Sequence, residues 1–312
     1  MTSKIKDLII NSNSILLLTH ENPDGDAIGS VLAFYHYLKS INKTVDMVVI
    51  DIPKIFNFLP SIDKIVDNTN DNYDLGIVFD CTSELRIGQK DNLIDRCRNT
   101  ICIDHHISNL NYCDINYIES DTSSCCQVIY YLLKSWNVSI SLEIGEAIIN
   151  GVITDTIGFG VNTVNSDTFR LAAELSDLGV DIYSVYNKVI HTKSMAQYML
   201  SRVAMDRLEL IYDNKIAFTY ILKEDFDKFN ASLGDHEGIV NIGRNIEGVE
   251  VSVFMREDDG FNISFRSTGN VDVREIALIF DGGGHRLASG AKSYNSFEDT
   301  KEKIINEIKK VI

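Results

Sequence analysis

The chain has 312 residues, of which 45% are hydrophobic and only three are proline, so we expect a globular protein of two ordinary domains rather than a disordered segment. Its net charge of −16 argues against a protein that coats long nucleic acid. It contains no apolar run near the roughly 20 residues that span a bilayer, no signal peptide at its start, and six cysteines without a paired motif, which together predict a cytoplasmic protein without a membrane partner.

The first 190 residues alternate between strand-like and helix-like segments. Such alternation predicts an α/β fold, with a doubly wound and mostly parallel sheet. The predicted strands are 15–19, 45–50, 75–80 and 100–104, and the predicted helices are 27–40, 123–135, 142–154 and 166–178.

The pattern changes near residue 192. After a long helix, short segments alternate apolar and polar residues, and Asp258-Asp259-Gly260 predicts a tight turn between two of them. We expect a smaller α+β domain with a mixed sheet, and we place the two domains at 1–188 and 197–312 with a linker at 189–196. The predicted strands are 215–221, 249–256 and 261–266, and the predicted helices are 194–210, 224–230, 235–245, 273–280 and 297–311.

The turn after the first strand contains three potential metal ligands, His20, Asp24 and Asp26. This turn lies at the carboxyl end of a strand, where open α/β sheets place their sites. A cation would neutralise the crowded carboxylates. Taken alone, the stretch is explained equally well by an Asx-type turn in which Asp26 caps the helix.

Further acids and imidazoles follow later elements. Asp80 closes the strand 75–80, Asp104 closes the strand 100–104 and precedes His105, and Asp155 follows a largely apolar helix. Each acid alone is more often a helix cap. Because neighbouring strand ends meet at one edge of a sheet, however, these groups can converge, and without cations they would repel one another. Oxygen-rich ligation with imidazole suits Mn²⁺ or Mg²⁺.

Taken in order, these motifs resemble those of the DHH phosphoesterase superfamily. The segment 282–291, Gly-Gly-Gly-His-Arg-Leu-Ala-Ser-Gly-Ala, resembles the glycine-rich signature of the DHHA1 domain. The resemblance covers essentially the whole chain. The compact two-domain length is similar to that of the bacterial nanoRNase group, oligoribonucleases that also dephosphorylate 3′-phosphoadenosine 5′-phosphate.

The resemblance implies two metal ions per chain, Mn²⁺ with Mg²⁺ as the alternative, and one carboxylate that bridges them. It also implies that His106 is an imidazole that binds no metal and instead contacts a phosphate oxygen or the leaving group, and that Asp104 orients a ligand histidine. The implied ligands are His20, Asp24 and Asp80 for one ion, and Asp26, Asp80, His105 and Asp155 for the other.

In the second domain, the resemblance implies that Arg266 and His285 bind the phosphate and the nucleotide of the substrate. Glycines before His285 let backbone N–H groups approach an anion, and we expect a helix amino terminus to add its dipole. A glycine turn with a structural histidine is the alternative. The remaining candidates for substrate contact are Ser267, Gly283, Gly284 and the weaker Arg86, which a surface arginine explains as well.

Three features depart from the usual family pattern, and none removes a ligand. Ile157 stands where the family often has glycine, and Ile107 stands where proline often follows the Asp-His-His triplet. The segment 123–127, Ser-Ser-Cys-Cys-Gln, differs from the usual Ser-Ser-Thr-containing helix start, and Gln127 stands at a position that is often acidic. These departures bear on substrate preference rather than on metal binding.

The implied function is a Mn²⁺-dependent phosphodiesterase that degrades very short RNA to nucleoside 5′-monophosphates and also removes phosphate from 3′-phosphoadenosine 5′-phosphate. A phosphodiesterase for linear or cyclic dinucleotides, such as pApA or cyclic di-AMP, is the nearest alternative. A non-catalytic nucleotide sensor is an alternative of another class. The expected partners are short nucleotides and a second copy in a homodimer, with no long duplex nucleic acid.

Overall fold

The structure is a computed structural model that describes residues 1–66, 69, 72–88 and 92–312. The chain divides into two compact units, Met1–Thr192 and Lys193–Ile312. Within the described residues, no helix combines the length and the apolar character needed to cross a bilayer.

A five-stranded sheet forms the centre of the first unit, and all of its neighbouring strands are parallel. The middle strands are buried along nearly their whole length, as expected for strands that are covered on both faces. The predicted α/β fold with a parallel sheet is confirmed. In chain order the strands are β1 (Ser14–Thr19), β2 (Thr44–Val48), β3 (Leu75–Phe79), β4 (Thr100–Asp104) and β5 (Ile115–Ile118), and their order in the sheet is β2-β1-β3-β4-β5.

Alternate residues of the strands enter two separate cores. Leu17 belongs to a large core that the helices cover, whereas Leu16 packs on the opposite face against residues such as Leu93 and Cys113. Short connections with 3-10 turns, including Leu93–Arg96, contribute to this second core. The helices are α1 (Thr2–Asn11), α2 (Gly25–Ser40), α3 (Cys125–Ser135), α4 (Leu142–Asp155), α5 (Ser166–Asp177) and α6 (Ile182–Tyr186), which continues into a π-helix at Asn187–His191.

A six-stranded mixed sheet forms the second unit, as predicted. Only β7 and β8 pair in parallel, and the other neighbouring pairs are antiparallel. The strands are β6 (Glu209–Ile211), β7 (Ile216–Ile221), β8 (Val251–Asp258), β9 (Gly260–Ser267), β10 (Gly283–His285) and β11 (Ala288–Ser293), in the order β10-β11-β9-β8-β7-β6. The helices are α7 (Met195–Asp206), α8 (Lys223–Phe229), α9 (Val240–Arg244), α10 (Val273–Leu278) and α11 (Phe297–Lys309).

Two expectations about the second unit are wrong. The glycine-rich segment does not lead into a helix, because Gly283–His285 is a strand that pairs with β11, so it gains no helix dipole. The predicted helix at 235–245 is instead a 3-10 turn, Leu233–His236, followed by the short α9. Gly238 separates them with a φ of +80°, which no right-handed helix accommodates.

Glycine allows α2 and α4 to pack closely in the first unit. A Cβ atom at Gly29 would lie 2.4 Å from the carbonyl oxygen of Ala147 on α4 and 2.9 Å from the sulfur of Cys126 on α3. Because the first of these atoms belongs to the backbone, it cannot turn away. The packing of three helices therefore depends on the absence of a side chain at this position.

We predict that Gly29→Ala lowers the free energy of unfolding, measured by urea denaturation. Overpacking costs about 3 kcal/mol at the upper end of its usual range, and the better helix propensity of alanine recovers about 1 kcal/mol, so a net loss of about 2 kcal/mol is expected. Gly234→Ala is the control, because its Cβ would meet no atom within 4 Å. Equal stability of Gly29→Ala and the wild type would contradict this packing.

Candidate metal centre

Three neighbouring strands of the first unit end at one place. The parallel register sets Thr19 beside Phe79 and Phe79 beside Ile103. The residues that follow these positions are therefore brought together at the carboxyl edge of the sheet. They are His20, Asp80 and Asp104.

Asp80 lies at the centre of this group. Its Oδ2 atom is 3.8 Å from Nε2 of His20, and its Oδ1 atom is 3.6 Å from Nε2 of His105 and 3.4 Å from Nδ1 of His106. A single carboxylate thus faces three imidazoles from two different turns. This is the position expected of a carboxylate that bridges two ions.

Without a cation, the backbone conformation and the burial of Asp80 are energetically unfavourable. Its φ is +51°, in the left-handed region that few residues other than glycine adopt, and its side chain is only 3% exposed. Oδ1 is buried and has no hydrogen-bond partner. Burial, and then the charges of Asp26 and Asp24, raise the pKa of Asp80 well above its ordinary value. A divalent cation would supply the missing partner and offset the repulsion.

The side chains around Asp80 form three overlapping groups that could each hold a metal ion. Within each group, one donor atom per residue lies within 4.8 Å of the others. Two of the groups combine carboxylates with a single imidazole, the donor set that Mn²⁺ or Mg²⁺ accepts. These two are His20, Asp24 and Asp80, and Asp26, His105 and Asp155. The third group is Asp80, His105 and His106, so His106 also lies among potential ligands, although the resemblance implies that it binds no metal.

Burial shifts the pKa values of the side chains in the second group, His105, Asp26 and Asp155. His105 Nε2 lies 3.5 Å from Oδ2 of Asp155 and 3.6 Å from Oδ1 of Asp80. Burial lowers the pKa of His105, which favours the neutral imidazole that ligates metals. Burial also raises the pKa values of Asp26 and Asp155, so a bound cation would favour their ionised forms.

Two helix amino termini hold the carboxylates in place. Asp24 caps α2, because its Oδ1 accepts hydrogen bonds from the backbone N–H groups of Asp26 and Ala27, both at 3.0 Å. Asp26 does not cap its own helix. It accepts instead from the first two N–H groups of α3, those of Cys125 at 2.6 Å and Cys126 at 2.9 Å. The positive end of the α3 dipole therefore stabilises a buried carboxylate.

Gly151 on α4 leaves the space that this arrangement requires. A Cβ atom there would lie 2.5 Å from Oδ1 of Asp26 and 2.3 Å from the sulfur of Cys126. The role of Gly151 was not predicted from the sequence, because the pattern of an apolar helix does not indicate which residues of other helices its glycine contacts.

Asp104 orients His106. Its Oδ1 accepts from the backbone N–H of His105 at 2.7 Å and from Nδ1 of His106 at 2.7 Å, and its Oδ2 accepts from Nδ2 of Asn109 at 2.6 Å. Burial favours a higher pKa for Asp104, but these bonds and the charge of His106 hold it below its ordinary value. The side chain of Asp104 thus fixes the ring of His106 and contacts only the backbone of the candidate ligand His105. Asn109, three residues after His106, was missed in the sequence.

The predicted residues of the second unit lie on or near one edge of its sheet. Gly283, Gly284 and His285 form the exposed strand β10. Arg266 on β9 is half-buried and donates from Nη1 to the carbonyl of Phe265 at 2.9 Å. Burial, and then the charge of Arg244, lower the pKa of Arg266.

Two further residues that were predicted to contact substrate also support local structure. Ser267 is 1% exposed, and its Oγ accepts from the backbone N–H of Gly269 at 3.1 Å, so it stabilises a turn. Arg86 has an exposed side chain in the 3-10 turn Glu84–Arg86, and its carbonyl accepts from the N–H of Glu21 at 2.8 Å. Its backbone therefore anchors the turn that contains His20.

Ile157 adopts a conformation that favours glycine. Its φ is +50°, and Gly158 and Phe159 beside it also have positive values. A β-branched residue in this region is strained. The strain explains why glycine suits this position, which directly follows the turn after Asp155.

Family models match both units of the chain. The model described as "DHH family, N-terminal domain" matches residues 14–154, and the model described as "DHHA1 domain" matches residues 202–312. The first match contains every candidate ligand except Asp155, and the second contains Arg266 and His285.

Similar proteins match nearly the whole chain. A Thermus thermophilus protein named bifunctional oligoribonuclease and PAP phosphatase NrnA is 30% identical over 89% of this chain and 83% of its own length. The Bacillus subtilis protein of the same name is 28% identical over 91% of this chain and 90% of its own length. The crystal structure of an exopolyphosphatase-related protein from Bacteroides fragilis is 30% identical, with a TM-score of 0.92, and the match covers 99% of this chain and 95% of that one.

We predict opposite effects of Asp80→Asn on stability and on metal binding. At neutral pH the metal-free variant should unfold at a higher temperature, because a buried carboxylate with a raised pKa no longer has to be ionised. Its affinity for Mn²⁺ should fall by at least about 100-fold, because a shared ligand is lost. Calorimetry of the unfolding, with and without Mn²⁺, measures both effects.

Asp177→Asn is the matched control, because Asp177 is exposed at the end of α5. It should change neither quantity. An unchanged rise in melting temperature on addition of Mn²⁺ to Asp80→Asn would refute the placement of the metal centre.

Proposed function

We propose that this chain, which belongs to the DHH family, is a phosphodiesterase that degrades very short oligoribonucleotides to nucleoside 5′-monophosphates and also dephosphorylates 3′-phosphoadenosine 5′-phosphate. It is an enzyme of the phosphoesterase class. The observation that carries the proposal is the buried, unpartnered Oδ1 of Asp80 between two sets of metal ligands. The two NrnA proteins, whose names state both activities, support the choice of substrates.

The proposed cofactors are two Mn²⁺ ions per chain, with Mg²⁺ as the alternative. When bound, such ions polarise phosphoryl oxygens and lower the pKa of a coordinated water. Asp80 would contact both ions. The other proposed ligands are His20 and Asp24 for one ion, and Asp26, His105 and Asp155 for the other.

The proposed role of His106 is to hydrogen-bond a phosphate oxygen or the leaving group. Its Nδ1 lies 2.7 Å from Oδ1 of Asp104, which fixes the orientation of the ring. Asn109 holds the second oxygen of Asp104 and prevents the carboxylate from rotating. The ring is thus oriented before a substrate binds, which lowers the reorganisation needed for the reaction.

We propose that residues 1–188 form the catalytic domain and residues 197–312 the substrate-binding domain, in which Arg266 and His285 contact the nucleotide. The glycines of β10 support this assignment. Gly284 has a φ of +135°, whereas Gly283 has an ordinary φ and its Cβ would meet nothing within 4 Å. Neither backbone strain nor close packing explains why residue 283 is glycine. The close approach of a ligand would explain it.

The proposed location is the cytoplasm. All six cysteines are free thiols, and five of them are buried. Burial raises the pKa of Cys81 to about 11, which keeps this thiol protonated and unreactive. Such thiols fit a reducing compartment.

A phosphodiesterase for pApA or cyclic di-AMP would use the same centre, and we retain it as the second candidate. A nucleotide sensor without catalytic activity is less well supported, because every proposed ligand is present and the ligands converge.

We predict that kcat/KM in the presence of Mn²⁺ is highest for RNAs of about two to five nucleotides and falls steeply for longer strands. The net charge of −16 offers no basic track for a long single strand. The assay compares RNAs of two to ten nucleotides, 3′-phosphoadenosine 5′-phosphate, pApA and cyclic di-AMP.

EDTA should abolish every activity, and Mn²⁺ should restore it. A rate that does not decline with length would contradict the proposed specificity, and hydrolysis of cyclic di-AMP alone would favour the second candidate.

The two units should contribute differently to the kinetics. Because Arg266 and His285 lie outside the metal centre, Arg266→Ala and His285→Ala should raise KM about 10- to 100-fold, the effect of one lost charge-assisted hydrogen bond, while the Mn²⁺ content is unchanged. His106→Ala should instead lower kcat. Arg274→Ala is the control, since Arg274 is exposed and pairs with Asp272. Loss of bound Mn²⁺ from Arg266→Ala would contradict its assignment to substrate binding.

A further inference from the structure

A row of side chains crosses the sheet of the second unit. Residues that stand directly opposite one another on neighbouring strands share one face of a sheet. From the edge inwards, the row is His285 on β10, Ala288 on β11, Arg266 on β9, Ser252 on β8 and Ala217 on β7. Only Ala288 lies between the two basic residues, His285 and Arg266, so their strands are about 9 to 10 Å apart.

Helix α9 covers the inner end of this row. A Cβ atom at Gly243 would lie 2.5 Å from Oγ of Ser252 and 2.6 Å from Cβ of Ala217, and Oγ of Ser252 donates to the carbonyl of Val240 at 2.7 Å. The helix therefore lies directly on the strand next to Arg266. Arg244, the residue after Gly243, is the last residue of this helix, and it is close enough to Arg266 for its charge to act there.

Arg244 and Arg266 have no acidic partner among the described residues. Other arginines of this unit, such as Arg207 and Arg256, form ion pairs with aspartates within 4 Å. Arg266 has only the carbonyl of Phe265, and the charge of Arg244 acts on it. These two guanidinium groups repel each other beside a desolvated surface. Their proximity is energetically unfavourable unless an anion binds them.

We propose that Arg244 determines specificity: together with Arg266, it binds a terminal phosphate of the substrate and favours 5′-phosphorylated substrates over unphosphorylated ones. This inference deepens the proposed function and rests on it. A terminal phosphate carries nearly two charges and presents three acceptor oxygens, enough for two planar guanidinium groups, whereas an internal diester carries one charge. The neutral, small Ala288 on the outer side of Arg266 leaves room for such a group.

The test compares substrates that differ only in this phosphate. Steady-state kcat/KM is measured with Mn²⁺ for pApA against ApA, and for 3′-phosphoadenosine 5′-phosphate against 3′-adenosine monophosphate. Arg244→Ala should reduce the preference for the phosphorylated member of each pair by about 10- to 100-fold. Arg244→Lys, which keeps the charge without the bidentate geometry, should reduce it less.

Arg202→Ala is the matched control. It removes one positive charge from the same unit, and Arg202 is exposed and pairs with Asp206 on α7. The preference should be unchanged in this variant, and the Mn²⁺ content should be equal in all variants.

Two results would overturn the inference: an unchanged preference in Arg244→Ala, or an equal loss for both members of each pair. If the wild-type protein hydrolyses none of these compounds, the proposed function fails. Calorimetric dissociation constants for pApA and ApA then test Arg244 independently, and the same 10- to 100-fold reduction in preference is expected. Equal dissociation-constant ratios in wild type and variant would refute the role of Arg244.

Discussion

Carboxylates crowd together at the edge of the first sheet and repel one another, and the packing around them answers this repulsion. Asp80 and Asp26 are buried, Asp155 is half-buried, and burial together with neighbouring charge raises the pKa values of all three. The hydrogen bonds of the structure leave Oδ1 of Asp80 without a partner. Cations would offset this repulsion, so we expect metal binding and stability to be coupled.

Helix ends and glycines maintain this arrangement without the metal. The amino terminus of α3 holds Asp26, the amino terminus of α2 is held by Asp24, and Gly151 lets α4 approach both Asp26 and Cys126. Each of these contacts joins elements that are far apart in the sequence. The proposed ligands Asp24, Asp26 and Asp155 are thus positioned by the packing of α2, α3 and α4, and we expect a change in this packing to alter metal binding.

The second unit contains a cluster of basic side chains instead of crowded carboxylates. Its sheet carries Arg266 and His285 on one face with small residues between and beside them, and α9 adds Arg244. Arg244 and Arg266 have no acidic partner among the described residues, and such a pair beside small side chains is suited to an anion. In our proposal the two units thus have complementary chemistry, with carboxylates that bind cations in one and guanidinium groups that bind phosphate in the other.

The fold class and the candidate ligands could be predicted from the sequence, because both depend on local signals. Buried parallel strands appear as continuous apolar runs, and the acids that follow them, such as Asp80, appear at their ends. The partners of these residues could not be predicted, because each contact joins distant parts of the chain. Asp26 caps α3 across about 100 residues, Asp104 orients the ring of His106, and Arg244 lies close enough to Arg266 for its charge to act there. Strands β5, β6, β10 and β11 were not predicted. The first three contain only three or four residues, and such a strand is defined by its neighbour and not by its own pattern. The six residues of β11 include glycine and alanine, which have low strand propensity.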